Sequence, residues 1–251
     1  MTAPAPVPGA GLPALPSLPS LPSLPDGYRA LVIGASGGIG AAWLRALAAD
    51  PRCGGVTGLH RQSTPRIDLA DEASVAAAAA ALAGQAPFQL IVNAAGLLHG
   101  PQGLPEKKLA DLNAAQLLAS FTANTIGPAL LLRHFSPLLG RQRGLMVMLS
   151  AKVGSIGDNR LGGWYGYRAS KAALNMLVKT AAIELRRSQP QTVLVALHPG
   201  TVATALSAPF GGADIGRPPD LAAAQMLAVI DGLRPDDSGS FVAWDGQRLP
   251  W

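Results

Sequence analysis

Ala30-Leu31-Val32-Ile33-Gly34-Ala35-Ser36-Gly37-Gly38-Ile39-Gly40 is the stretch on which the fold turns. Four apolar residues read as a buried strand. The glycines after them permit a tight bend straight into a helix over residues 41–49, closed by Asp50-Pro51. A helix entered from such a bend offers free backbone N–H groups and the positive end of its dipole to an anion. Gly34 allows the bend, while Gly38 and Gly40 let the backbone approach a pyrophosphate. A glycine turn alone serves packing equally well, but strand, turn and helix in this order favour a dinucleotide. Its candidate contacts are Gly34, Ser36, Gly38, Ile39 and Gly40.

Outward from this unit, apolar strand patterns alternate with helical ones. Strands are expected at residues 56–60, 90–92, 145–149, 193–197 and 241–244, and helices at 72–82, 109–118, 122–135, 167–187 and 220–233. The alternation predicts an α/β chain, a single doubly wound parallel sheet with helices on both faces, over residues 27–251. Residues 1–26 differ: their repeated Leu-Pro-Ser, with proline at every third position, suits neither helix nor ladder strand. They are expected to be a low-complexity, disordered extension, inert rather than a docking segment. They lack the basic start and unbroken apolar run of a secretory leader.

Composition narrows the function classes. The formal net charge is +5, but the arginines are scattered and no basic run is interleaved with aromatics. Nucleic acid is therefore not an expected partner, and an anionic cofactor explains the charge better. No stretch approaches 18 strongly apolar residues, so no membrane span is expected. The lone cysteine, Cys53, excludes an internal disulfide and fits a reducing, cytoplasmic compartment. His99 and His134 lack metal-ligand spacing, and no metal is expected.

Chemistry enters at Gly166-Tyr167-Arg168-Ala169-Ser170-Lys171-Ala172-Ala173-Leu174-Asn175. Tyr167 and Lys171, four residues apart, share a helix face. The ammonium favours the phenolate, so it is expected to lower the tyrosine pKa and make it a proton donor and acceptor nearer neutrality. The cofactor type is read after the second strand. A carboxylate there would bond the ribose 2′-OH of NAD, whereas a basic residue takes the 2′-phosphate of NADP. His60-Arg61 stands there instead of an acid, so NADP(H) is preferred over NAD(H), with Arg61 as the phosphate site. Asp68-Leu69, after an expected third strand, suits an adenine contact, and Asp68 suits a helix N-cap equally well.

Together these features resemble a classical short-chain dehydrogenase/reductase, with a Rossmann-type fold, over residues 28–251. The glycine turn, Asn93-Ala94-Ala95-Gly96, Asn124-Thr125-Ile126-Gly127, the Tyr167/Lys171 pair and Pro199-Gly200-Thr201-Val202-Ala203-Thr204 occur in the family's order and approximate spacing. Gly154-Ser155-Ile156, Gly162-Gly163-Trp164-Tyr165 and Trp244-Asp245-Gly246-Gln247 are similar to the C-factor-like and sniffer-like carbonyl reductase branch, some members of which are described as signalling proteins. The resemblance implies that Tyr167 exchanges a proton with a carbonyl or alcohol oxygen. Lys171 would lower its pKa and bond the nicotinamide ribose. Asn124 would hold a relay water, or bridge neighbouring backbone, or both. Asn93, Ala94 and Gly96 would line the cofactor, and Pro199, Gly200, Val202 and Thr204 its carboxamide end.

Two positions depart from the family pattern. Ala151 aligns where a substrate-polarising serine usually stands, leaving Ser150 or Ser155 as candidates, or neither. Ala94 replaces a frequent asparagine. The family's substrate lid falls at residues 206–217, with Ala208-Pro209-Phe210-Gly211-Gly212 short, apolar and hinged by glycine. Trp164 either lines the pocket or packs in the core, and His198 precedes Pro199. The reading is an NADP(H)-dependent carbonyl reductase or alcohol dehydrogenase acting on a small apolar carbonyl or alcohol. It would be a homodimer or homotetramer joined through the Tyr167 helix and its neighbour. The alternative is a dinucleotide-binding regulator with little or no turnover.

Overall fold

The computed structural model describes residues 20–251. In β1 (Tyr28–Ile33) every residue but Arg29 is buried, so both of its faces require cover. It turns into α1 (Gly38–Ala48), followed by β2 (Cys53–Leu59), α2 (Glu72–Leu82) and β3 (Leu90–Asn93). Then come α3 (Ala114–Phe121), α4 (Gly127–Phe135), β4 (Gly144–Leu149), α5 (Tyr165–Ser188) and β5 (Thr192–His198). A one-turn α6 (Gly212–Ile215), α7 (Pro219–Asp231) and β6 (Phe241–Ala243) end the chain.

The six strands form one parallel sheet in the order β2-β1-β3-β4-β5-β6. Alternation along each strand divides the core. Ala30, Val32, Leu145 and Val147 meet Trp43 and Leu47 of α1 and Met226 and Ile230 of α7. Leu31, Ile33, Met146 and Met148 meet Val75 of α2, Phe135 of α4 and Val178 of α5 on the other face. The expected doubly wound α/β fold holds. Its chain order reverses at β1, flanked by β2 and β3, and in such sheets a crevice opens there at the carboxyl ends of the strands.

Local expectations are corrected in two places. Of the segment expected to be a disordered extension, residues 1–19 lie outside the described residues, but residues 20–26 pack on the domain. Leu21 and Leu24 are 0% and 1% exposed, within the α1/α7 side of the core. A proline-spaced segment cannot use a ladder, so side chains satisfy its backbone. Asp50 Oδ2 accepts from Leu21 N at 3.2 Å, and the Arg52 guanidinium donates to the Leu21 and Leu24 carbonyls at 3.2 and 2.8 Å.

The expected third strand before Asp68 is irregular backbone. The Ser63 hydroxyl and the bond from Ile67 N to the His60 carbonyl (3.2 Å) fold it back on itself. The N-cap of α2 is Asp71, whose Oδ1 accepts from Ala73 N at 3.0 Å, not Asp68. Finally, the helical run Ala114–Leu138 is long and apolar enough to cross a membrane by length and composition. It is interrupted by a π-turn (Thr122–Ile126), and it buries the polar residues Ser120, Asn124 and Thr125 against the rest of the protein.

Candidate active site

The site gathers at the reversal in strand order. Gly34 has φ +82°, and a Cβ there would stand 2.5 Å from Ala95 N. The turn after β1 therefore lies directly against the loop after β3. Gly34 N and Ala35 N both donate to the Leu59 carbonyl, at 2.9 and 3.2 Å, which stitches the turn to the end of β2. A Cβ on Gly38 would stand 2.6 Å from Thr204 Cγ2, so the loop after β5 closes the third side. Gly34, Ser36, Gly38, Ile39 and Gly40, the Asn93–Gly96 loop and the Pro199–Thr204 loop are brought together as the sequence predicts.

Two observations bear on a dinucleotide. The N-terminus of α1 has no side-chain cap and no acid in its first turn, which suits a phosphate. Asn93 is 1% exposed; its Oδ1 accepts from Ala95 N at 3.1 Å, but its Nδ2 is buried without a partner among the described residues. An orphaned donor of this kind calls for a ligand acceptor. Arg61, two residues beyond the stitched Leu59, is exposed and without an ion-pair partner among the described residues. Asp68 is engaged, by Arg66 at 3.2 Å and by Ala70 N at 3.1 Å. Leu69 lies beside Gly127, at the start of α4, and is half-buried.

Tyr167 and Lys171 lie on the inner face of α5. Lys171 is 4% exposed. Its Nζ donates to the Leu149 carbonyl at 3.0 Å and sits 5.8 Å from the Tyr167 ring centre. Burial pushes the Lys171 ammonium down to about 8. Burial also pushes the Tyr167 phenol above its ordinary range, although part of the residue's surface stays open to the cavity. The expected lowering of the tyrosine by its lysine is thus reversed in this geometry. At nearly 6 Å from the ring, the ammonium is outweighed by desolvation. A phenol so placed is protonated at neutral pH and ready to donate.

Asn124 is fully used as a bridge. Its Oδ1 accepts from Leu97 N at 2.8 Å, and its Nδ2 donates to the Leu97 carbonyl at 2.7 Å and to Ser170 Oγ at 3.1 Å. Its side chain is therefore committed to the Leu97 backbone and the Ser170 hydroxyl. It still borders the site, since a Cβ on Gly96 would be 3.3 Å from Asn124 Oδ1 and 3.6 Å from Lys171 Nζ. Ser150 is 3% exposed, and its hydroxyl donates to Asn175 Oδ1 at 2.7 Å. Ser155 is 1% exposed and accepts from Asp158 N.

A cavity of about 300 Å³ opens on this constellation, bordered by Ile39, Ala151, Tyr167, Pro199, Thr204 and Phe210. Ser150 and Trp164 also reach it, so Trp164 lines the pocket. His198 reaches it too. Burial pushes its imidazole down to about 4, which keeps it neutral at pH 7. Residues that the sequence reading missed support this frame. The Arg217 guanidinium lies 3.5 Å over the Trp244 ring and donates to the Pro199 carbonyl, holding the loop that carries Pro199, Gly200 and Val202. Glu106 is a carboxylate 2% exposed beneath the start of α5. No motif announces either one; Glu106 is revealed by its burial and Arg217 by its stacking on Trp244.

A family model described as short chain dehydrogenase matches residues 28–213, and the chain belongs to that family of oxidoreductases. C-signal of Myxococcus xanthus is 38% identical over 169 residues, 66% of this chain and 93% of the relative. The carbonyl reductase Sniffer of D. melanogaster shares the fold with a TM-score of 0.79 at 24% identity, over 91% of this chain and all of that one. The NADPH-bound carbonyl reductase from chicken fatty liver gives a TM-score of 0.77 at 26% identity, over 91% and 100% of the two chains. These similarities agree with the C-factor-like and sniffer-like branch read from the motifs.

Proposed function

We propose that the protein is an NADP(H)-dependent carbonyl reductase or alcohol dehydrogenase. The observation that carries this is one cavity bordered at once by Tyr167, by Ile39 of the glycine turn and by the Pro199–Thr204 loop. Arg61 would pair with the 2′-phosphate, and Ser36, Gly38, Ile39 and Gly40 would take the pyrophosphate. Asp68 and Leu69 would meet the adenine; Asn93, Ala94 and Gly96 would flank the ribose side. Pro199, Gly200, Val202 and Thr204 would hold the carboxamide end. The NADPH-bound state of the chicken relative supports this cofactor class. When bound, the dinucleotide supplies or receives the hydride.

The chain's own groups manage the proton. In reduction, Tyr167 Oη gives its proton to the carbonyl oxygen, and that oxygen becomes the alcohol hydroxyl. The Lys171 ammonium stabilises the phenolate left behind, then shares a proton with it. Ser150 borders the same cavity as a second polar group, held by Asn175, and Asn124 fixes the Leu97 backbone against α5. Apolar walls exclude water from the transfer. A small apolar carbonyl compound is the substrate, and the free Cys53 suits a reducing, cytoplasmic location. Leu118, Ile126, Met176 and Ile183, exposed along α3 to α5, support a homodimer or homotetramer joined there.

The test is Tyr167→Phe. Turnover of carbonyl compounds should fall about 100-fold or more, with NADPH affinity retained. A second reading, a dinucleotide-binding regulator with little turnover, is favoured by Ala151 in the cavity wall and by the Ser150 hydroxyl pointing to Asn175. It predicts that Tyr167→Phe changes nothing measurable.

A further inference from the structure

The entrance to α5 holds a strained run that the proton chemistry does not require. Gly162, Gly163 and Trp164 have φ of 62°, 64° and 53°. Trp164 is the one non-glycine residue with positive φ among the described residues, and a bulky side chain resists that conformation. Strain of this kind persists only where surrounding bonds enforce it.

Those bonds come from two residues. The Glu106 carbonyl accepts from Trp164 N at 2.5 Å, and its carboxylate Oε2 accepts from Gly166 N at 3.1 Å, while Oε1 is buried without a partner among the described residues. On the other side, Arg168 Nε donates to the carbonyls of Gly162 and Gly163 at 3.2 and 2.9 Å. Its Nη1 reaches the Val153 carbonyl at 3.2 Å.

The result is an indole aimed into the cavity. Its ring centre lies 4.9 Å from that of Phe210, in the segment after β5, and 6.2 Å from Tyr167, edge-on to the phenol. His99 extends the surface, 5.8 Å from Phe210. A group bonded to Tyr167 Oη therefore has a continuous aromatic wall beside it.

We propose that Trp164, preset by Glu106 and Arg168 as positioning residues, is the specificity wall of the cavity. It selects flat, unsaturated carbonyl compounds, such as aryl ketones, over saturated ones of similar size. This rests on the carbonyl-reductase reading above. A flat ring lies against the indole across its whole face, whereas a puckered ring touches it at a few hydrogens.

The test compares acetophenone with cyclohexyl methyl ketone, using the full chain and NADPH. The quantity read is the ratio of their kcat/KM values, normalised to wild type so that intrinsic reactivity cancels. Trp164→Leu should lower the preference for acetophenone about three- to tenfold, mostly in KM. Glu106→Ala and Arg168→Met should shift the ratio the same way. Glu106→Gln, which keeps an acceptor for Gly166 N, should restore it. A purely structural role for Glu106 would lower both substrates alike and leave the ratio flat. An unchanged ratio in Trp164→Leu overturns the proposal. If wild type binds NADPH yet reduces neither ketone, the carbonyl-reductase reading has failed. Calorimetric affinities of the two ketones in wild type and Trp164→Leu then judge the wall by the same ratio.

Discussion

Replacing Lys171 by methionine measures what the buried ammonium costs the fold. Burial lowers its pKa from 10.5 to about 8. At about 1.4 kcal/mol per pH unit, this corresponds to roughly 3 kcal/mol of destabilisation at neutral pH. Methionine fills similar space without charge but gives up the bond to the Leu149 carbonyl, worth about 1 kcal/mol. Desolvation is the larger effect, so Lys171→Met should be more stable than wild type by about 1–2 kcal/mol at pH 7, and inactive.

The pH dependence is the sharper signature. Between about pH 8, the value in the fold, and roughly 10.4, the unperturbed value, the unfolded chain holds the lysine proton and the native protein has released it. Wild-type stability therefore rises with pH across this window. Relative to the non-titrating variant, wild type should gain about 2 kcal/mol between pH 7.5 and 9.5. Urea unfolding of both proteins at the two pH values, without dinucleotide, gives the difference. A difference that is flat or falls with pH would refute the reasoning. A confirmed gain would mean that the chain keeps a costly charge for its chemistry.

Two further predictions concern the frame of the site. Leu24→Ala empties a fully buried position and should lower stability by about 2–5 kcal/mol in urea unfolding; a loss under about 1 kcal/mol would place residues 20–26 outside the core. Gly34→Ala combines a positive φ with a Cβ 2.5 Å from Ala95 N. It should abolish NADPH binding in a fluorescence titration while the circular-dichroism spectrum keeps its α/β form, and unchanged affinity would contradict the close approach of the two loops.

What the sequence revealed was whatever has a fixed spacing. The strand running into Gly34–Gly40 and the four-residue interval of Tyr167 and Lys171 are local geometry, and the structure reproduces both. Burial is not local. Leu21 and Leu24 sit in a proline-spaced segment with no helical or strand period, and they become core only because Asp50 and Arg52 satisfy their backbone. The direction of the Tyr167 pKa was misjudged for the same reason. Sequence spacing shows that an ammonium is near, while the desolvation that outweighs it depends on everything packed around α5. Trp164 is a tertiary outcome as well, since its left-handed backbone is imposed by Glu106, 58 residues upstream in the chain.

The central claim is most directly tested by titrating the purified protein with NADPH and, separately, with NADH, following nicotinamide fluorescence. The account predicts saturable binding of NADPH, tighter than NADH by about tenfold or more, because Arg61 meets a phosphate that NADH lacks. Equal or tighter binding of NADH would contradict the role of Arg61, and binding of neither would contradict the oxidoreductase mechanism itself.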